Sequence, residues 1–354
     1  MSYRKGSPVQ EFVVTAPRQI EFRDYNEPPL KPNEVRVRAI VSGIKHGTEM
    51  NLYRGQSPFA SKTFDRDYRL FLPQEGQSLY PTNLGSWLAG EVVEVGSAVT
   101  RFKAGDNVHG GMAHRPTNVR PEDTLFPLAD GMKPETALFT DPAIFALGAV
   151  HDARIKVGDR VAVFGMGALG LLAVQIARLN GAEAVFAVDT IDARLELARQ
   201  FGADAAFNAS QCDAALEIKN RTGKKGVDVA IDISGAYPAL HSAIRSVQMC
   251  GLVVSASYYH GAPQLDLGAE WHHNRPTFVS SMPVWGNPHR CHPLWDLKRL
   301  EETALRLLET GRLMTEPMIG RRFRYQDAAQ AYQFIDQHPE ATIKTLLDYD
   351  SIPA

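Results

Sequence analysis

Cysteine is scarce in this sequence: Cys212, Cys250 and Cys291 are the only three, scattered along 354 residues. Such a set builds neither a disulfide framework nor a cysteine-rich zinc site, and it suits a reducing compartment such as the cytoplasm. Long apolar runs are missing too. No stretch approaches the ~18 apolar residues of a membrane-spanning helix, and the opening "MSYRKGSPVQEF" has no apolar core of the kind a signal peptide carries. Nor does charge of one sign dominate. With 38 basic and 40 acidic side chains the formal net charge is -2, which creates no field to gather nucleic acid or an anionic membrane. The expectation is a cytoplasmic protein with neither as a partner.

What is present is an ordinary globular composition, 44% hydrophobic and 22% charged, in a chain longer than the roughly 250 to 300 residues at which single cores stop growing. Two domains are expected. From "EVRVRAIVSGI" through "WLAGEVVEVGSAVTRFKAGDNVHGG", short β-branched runs alternate with Gly, Asp and Asn turn signals, so residues 1–152 read as mostly strand. The pattern then becomes strand, glycine turn, helix, strand, helix. That alternation, from "DRVAVFGMGALGLLAVQIARLNGAEAVFAVD" through "GVDVAIDISG" to "PTFVSSMPVW", predicts an open parallel sheet over residues 153–288 and an α/β fold class. The tail, 289–354, holds an amphipathic helix in "LWDLKRLEETALRLLETGRL" and a strand in "ATIKTLLDYD", and is expected to return to the first domain.

Gly165, Gly167 and Gly170 form G-x-G-x-x-G between the strand "RVAVF" and the helix "ALGLLAVQIARL". Glycine permits the tight turn, the close approach of backbone to a pyrophosphate, and the packing of helix on strand, while the helix N-terminus favours an anion. Asp189 closes the next strand 19 residues after Gly170, where a carboxylate can bind both ribose hydroxyls and repel a 2′-phosphate. The cofactor expected is therefore NAD rather than NADP. Arg194 has three readings: over the adenine, reaching a phosphate, or on the helix surface.

With these elements in order, the chain resembles the medium-chain dehydrogenase/reductase superfamily, the zinc-type alcohol and polyol dehydrogenases and their relatives. "SGIKHGTEMNLYRG", "LAGEVVEVGSAVTRFKAGDNV", "ALFTDPAIFALGAV", the glycine-turn segment and "ATIKTLLDYD" carry the resemblance over nearly the whole length. It implies a GroES-like β-rich catalytic domain, a Rossmann domain with a doubly wound parallel sheet, and NAD(P)-dependent hydride transfer on a small hydroxylated substrate held between them. Relatives assemble as homodimers or homotetramers through the Rossmann domain.

The departures from that family concern zinc. Where zinc-dependent members have a cysteine before "GTD", this chain has Lys45 and His46 before "GTE", and where they have "GHE" it has "GSW", with Ser86 and Trp87. Asp141 in "FTDPA" matches a further ligand position, and no lobe of four structural cysteines is present. His46 and Asp141 supply two of the three or so protein ligands a catalytic zinc takes; serine is a poor ligand and tryptophan none. No metal is assigned, although Glu49 or another histidine could complete a rearranged site. Without a Lewis acid, alcohol oxidation still needs a proton acceptor and donors for the developing oxyanion. His46 or Lys45 is the candidate acceptor, helped by Thr48 and Asp141, with Trp87 in the vacated metal space. The blander readings are a His46 that only hydrogen-bonds backbone, a solvated Lys45 and an Asp141 that shapes a turn.

Further along, "EWHHNRPTFVSSMPVWGNPHRCHPLW" is crowded with His272, His273, His289 and His292, read as loop or subunit contact rather than metal site. Trp285 joins Ser86 and Trp87 as a candidate pocket residue for a polyol, cyclitol or sugar-like substrate. The competing functions are a zinc-free quinone or enoyl reductase and a non-catalytic NAD-binding protein.

Overall fold

A computed structural model describes residues 9–57, 59, 61–73, 78–259, 265–283 and 287–349. The chain divides into two compact units, residues 1–138 with 319–354, and residues 139–318. Among the described residues no helix is long and apolar enough to cross a membrane.

In the first unit the strand Glu34–Gly43 is the hub. It pairs antiparallel with Trp87–Val95, with Thr117–Pro121 and with the tail strand Lys344–Asp348. The register shifts against Trp87–Val95 between Ala39 and Val41. Such a bulge turns side chains of one parity to opposite faces. Val35, Val37 and Ala39 accordingly enter the larger core with Phe12, Leu88, Tyr325 and Tyr332, while Val41 joins Trp87, Ala89, Leu138 and Leu346 in a smaller one. Asn107–Gly111, Leu125–Pro127 and Ile319–Arg324 extend the sheet of the hub strand, and a three-stranded sheet centred on Val9–Ala16 and the hairpin Lys62–Asp65 with Leu70–Pro73 complete the strands of the unit's described residues.

The second unit is built on six parallel strands in the order Ala205–Asn208, Ala184–Asp189, Arg160–Phe164, Val227–Asp232, Val247–Ser255, Thr277–Ser280. The order reverses between Arg160–Phe164 and Val227–Asp232, and ligands of open α/β sheets bind outside the carboxyl ends of strands at such a switch point. This is the doubly wound arrangement expected. The unit boundaries are offset from the expected ones: the second unit begins at 139 rather than 153 and runs to 318 rather than 288. The reason is helix packing. Helix Thr140–Asp152 lies against both Ala168–Leu179 and Leu297–Glu309, and a methyl group at Gly148 would fall 3.3 Å from Pro283 and 3.7 Å from Leu300. The amphipathic helix of the tail thus stays with the parallel sheet, and only the chain from 319 onward returns to the first unit.

At one end of the smaller core, the Trp87 indole N–H donates to Nδ1 of His109 at 3.0 Å, and the imidazole stacks on Phe126. The ring is fully buried, and burial holds the His109 pKa down at about 4. Folded His109 stays neutral while the unfolded chain takes up a proton below pH ~6.5, so its contribution to stability is complete above that pH and is lost as pH falls toward 4. Denaturation at pH 7 and pH 4 is expected to show a loss of up to ~3 kcal/mol from this site. His109→Asn keeps an acceptor for Trp87 and should flatten the slope; an unchanged slope would refute the assignment.

Candidate functional site

The glycine turn follows the strand Arg160–Phe164 directly, as the sequence predicts. Gly165 has φ +93, and a Cβ there would lie 2.8 Å from the Ser234 backbone. At Gly170 a Cβ would sit 1.8 Å from the Gly165 carbonyl oxygen. Both positions therefore require glycine on steric grounds. Gly167, which caps helix Ala168–Leu179, has no atom within 4 Å of a built Cβ, so the approach to the helix N-terminus is open. A pyrophosphate fits that space and that dipole.

Asp189 ends the strand Ala184–Asp189, half-buried. Its Oδ2 accepts the Met166 backbone N–H at 2.6 Å, and its Oδ1 accepts those of Thr190 and Ile191 at 2.8 and 3.0 Å. The carboxylate thus fastens the glycine turn to the neighbouring strand. A carboxylate has about four acceptor sites, so one remains for a ribose hydroxyl. Arg194 lies two residues into helix Asp192–Gln200, half-buried rather than fully exposed.

Across the switch point, Asp232 is wholly buried at the end of Val227–Asp232. Its Oδ1 accepts the Ser234 N–H at 3.0 Å and the Ser234 hydroxyl at 2.7 Å; its Oδ2 accepts the Tyr259 hydroxyl, which in turn accepts from Ser255. Burial raises the Asp232 pKa, and the bonds from Tyr259 and Ser234 only partly oppose it. Burial and the adjacent Asp232 push Tyr259 upward as well. Sequence reasoning missed this cluster. An acidic residue ending a second parallel strand at the switch point was the available signal.

In the first unit "SGIKHGTEMNLYRG" is the end of the strand Glu34–Gly43 followed by helix His46–Arg54. Lys45 is the N-cap and gives no side-chain cap bond; Gly55 ends the helix in the left-handed region at φ +75. Lys45 and His46 are half-buried and Thr48 is exposed on the first turn. His46 Nε2 accepts the Thr345 backbone N–H at 3.3 Å, which in the neutral ring leaves the proton on Nδ1. The backbone-bonding reading of His46 describes this contact. Glu49 is buried. Its Oε1 accepts the Lys45 N–H at 2.7 Å, and its Oε2 accepts from His114 Nε2 at 3.0 Å and from the Tyr332 hydroxyl. His114 Nδ1 is 2.7 Å from Ser42 Oγ, which is 2.9 Å from the Tyr349 hydroxyl. Burial pushes the Glu49 carboxyl up, but the charge and hydrogen bond of His114, with the bonds from Tyr332 and Lys45, outweigh it and leave the pKa lowered. His114 lies 65 residues from Glu49, and Tyr332 lies 283 residues away; no local pattern announces them.

Ser86 is half-buried and Trp87 buried, the indole committed to His109. Trp87 is thus a core residue of the first unit. Asp141 sits in the first turn of helix Thr140–Asp152, within the second unit. Trp285 lies outside the described residues. As zinc donors His46, Ser86 and Trp87 fit poorly: an imidazole whose Nε2 lone pair already takes an N–H, a neutral hydroxyl and an indole. Among the histidines downstream, His272 and His273 stand in a short helix, Glu270–Asn274, rather than a loop. His289 Nε2 lies 3.1 Å from His151 Nδ1, with Trp295 stacked on its ring.

Comparison with known proteins bears on this geometry. Residues 31–124 match the family model "Alcohol dehydrogenase GroES-like domain", and residues 168–298 match "Zinc-binding dehydrogenase". The chain is 36% identical over 346 residues to the D-guloside 3-dehydrogenase of Escherichia coli (strain K12), covering 95% of this chain and 99% of that one. It is 30% identical over 284 residues to (R,R)-butanediol dehydrogenase of Bacillus subtilis (strain 168), covering 73% and 78%. The fold matches the crystal structure of an Escherichia coli oxidoreductase/dehydrogenase of unknown specificity with a TM-score of 0.80, at 20% identity and 97% and 99% coverage. The chain belongs to the zinc-type medium-chain dehydrogenase/reductase superfamily and is an oxidoreductase of CH–OH groups.

Proposed function

We propose that this protein is an NAD-dependent dehydrogenase that interconverts a secondary alcohol and its ketone on a sugar-like, cyclitol or polyol substrate, without catalytic zinc. The observation that carries the metal-free reading is the first turn of His46–Arg54. There the position of a thiolate is taken by Lys45 and His46, with His46 Nε2 engaged by Thr345. The similarity to a sugar and a diol dehydrogenase supports the substrate class. When bound, the nicotinamide supplies the hydride acceptor or donor. Gly165, Gly167 and Gly170 would hold its pyrophosphate, Asp189 one ribose hydroxyl, and Arg194 the adenosine side.

The proton is the remaining task. A proton arriving on His46 Nε2 would face the Thr345 N–H, two donors against each other. Lys45 brings an ammonium, which can hold a developing oxyanion or exchange a proton with it. Lys45 is therefore the leading catalytic residue, with Thr48 as an exposed hydroxyl donor one turn away and His46 orienting the loop against Thr345. Asp141 remains a candidate for orienting the substrate, and Ser86, Trp87 and Trp285 for lining its pocket. The protein is proposed to act in the cytoplasm as a homodimer or homotetramer.

Lys45→Ala is expected to lower kcat by ~10²-fold or more, the usual range for a general acid or base, whereas His46→Ala should cost less than about tenfold. Steady-state kinetics decides, and the reverse ranking would return the proton to His46. Activity should survive exhaustive chelation, assayed with metal content measured in parallel; a loss that added zinc restores would overturn the metal-free reading. For the cofactor, Asp189→Asn removes the charge but keeps an acceptor for Met166. The NAD preference in kcat/KM should fall at least about tenfold, a change of ~1.4 kcal/mol; wild-type protein that uses NADP equally well would refute the role of Asp189.

A further inference from the structure

One imidazole holds both ends of the segment that carries the candidate catalytic groups. Ser42 precedes the Lys45-His46-Gly47-Thr48 run and Glu49 follows it, and they bind opposite nitrogens of His114: Nδ1 at 2.7 Å and Nε2 at 3.0 Å. All three side chains are buried. Glu49 also accepts the Lys45 N–H and the Tyr332 hydroxyl, and Ser42 also reaches Tyr349. Lys45, as an N-cap without a side-chain cap bond, owes the fixed direction of its backbone N–H to Glu49.

A buried ionic network of this kind is a poor source of stability. Well-packed apolar groups of the same volume hold a core at least as well, whereas removing one partner leaves the other uncompensated. What such a network supplies is a fixed geometry, because each donor and acceptor has a direction. The surrounding elements need no polar glue: Phe12 packs against His114 and Tyr332, and Tyr53 against Tyr332.

We infer that His114 is a positioning residue, a clamp that through Ser42 and Glu49 sets the loop and first helical turn bearing Lys45, His46 and Thr48 in their reactive geometry. Neither His114, Ser42 nor Glu49 needs to touch substrate for this. The inference rests on the reading that Lys45 and its neighbours handle the proton, and it adds a readout that a purely structural network would not move. A clamp of this kind acts on the chemical step, so its loss lowers kcat and leaves KM and dinucleotide affinity nearly unchanged.

The test is a kinetic series on the full chain. Ser42→Ala opens one arm and Glu49→Ala the other. Glu49→Gln is the conservative variant, since its amide oxygen can still accept the Lys45 N–H while its NH2 group can donate to an unprotonated His114 Nε2. Ser42→Ala and Glu49→Ala are expected to lose about tenfold or more in kcat, with KM and the NADH dissociation constant, read by nucleotide fluorescence, within about threefold of wild type. Glu49→Gln should recover most of the loss. Ser42→Ala, a small change on a strand, keeps the test open if Glu49→Ala does not fold. Normal kcat per folded molecule in Ser42→Ala, or in a folded Glu49→Ala of lowered Tm, would show a structural network and overturn the clamp. Lys45→Ala in parallel separates the two readings. Full activity there refutes the role of Lys45 and leaves the clamp to be judged by its own variants; impaired Lys45→Ala beside fully active clamp variants refutes the clamp alone.

Discussion

Carboxylates withdrawn from water set the local geometry of this protein wherever function is expected. A buried or half-buried anion is tolerable only if donors surround it, and at three places the donors belong to the turns that matter. Glu49 takes the N–H of Lys45, Asp189 takes that of Met166 inside the glycine turn, and Asp232 takes that of Ser234, whose backbone abuts Gly165. In each case the desolvated charge converts a flexible connection into one with a defined direction. The strands around them furnish the apolar burial that makes the desolvation bearable, as in the core joining Phe12, Leu88, Tyr325 and Tyr332.

The metal-free reading proposed above rests on the donors that the first unit offers. Replacing a thiolate by a Lys-His pair and an imidazole by a serine leaves donors of the wrong kind, and the tertiary structure then commits two of the remaining groups. His46 Nε2 accepts from Thr345, and Trp87 spends its indole N–H on His109. The N-cap and first turn of the same helix also bring an ammonium, Lys45, and an exposed hydroxyl, Thr48, groups suited to holding negative charge on oxygen.

Legibility in the sequence followed the range of the interaction. The glycine turn, the acidic strand end at Asp189, the helix of the tail and the final strand were all readable because each carries its own local pattern of turn residues or apolar spacing. The tail helix, expected with the first unit, packs on helix Thr140–Asp152, a partner more than a hundred residues away that local pattern does not reveal. Residues His272 and His273, expected in a loop or subunit contact, form a short helix ended by Arg275 at positive φ, a backbone choice that side-chain type does not announce.

By itself, the sequence determined the two-part architecture, the parallel sheet with its glycine turn, and the family of oxidoreductases to which the chain belongs. The architecture and the sheet follow from periodicity and turn chemistry, which act over tens of residues, and the family from the resemblance that the ordered motifs carry. Only the tertiary structure decided which side chains are already spoken for. That His114 joins Ser42 to Glu49, that Tyr332 completes the carboxylate, and that Trp87 is buried against His109 depend on pairings across up to 283 residues. The physical reason is that a hydrogen bond is specified by distance and direction in space, and a linear order of residues contains neither until the chain has folded.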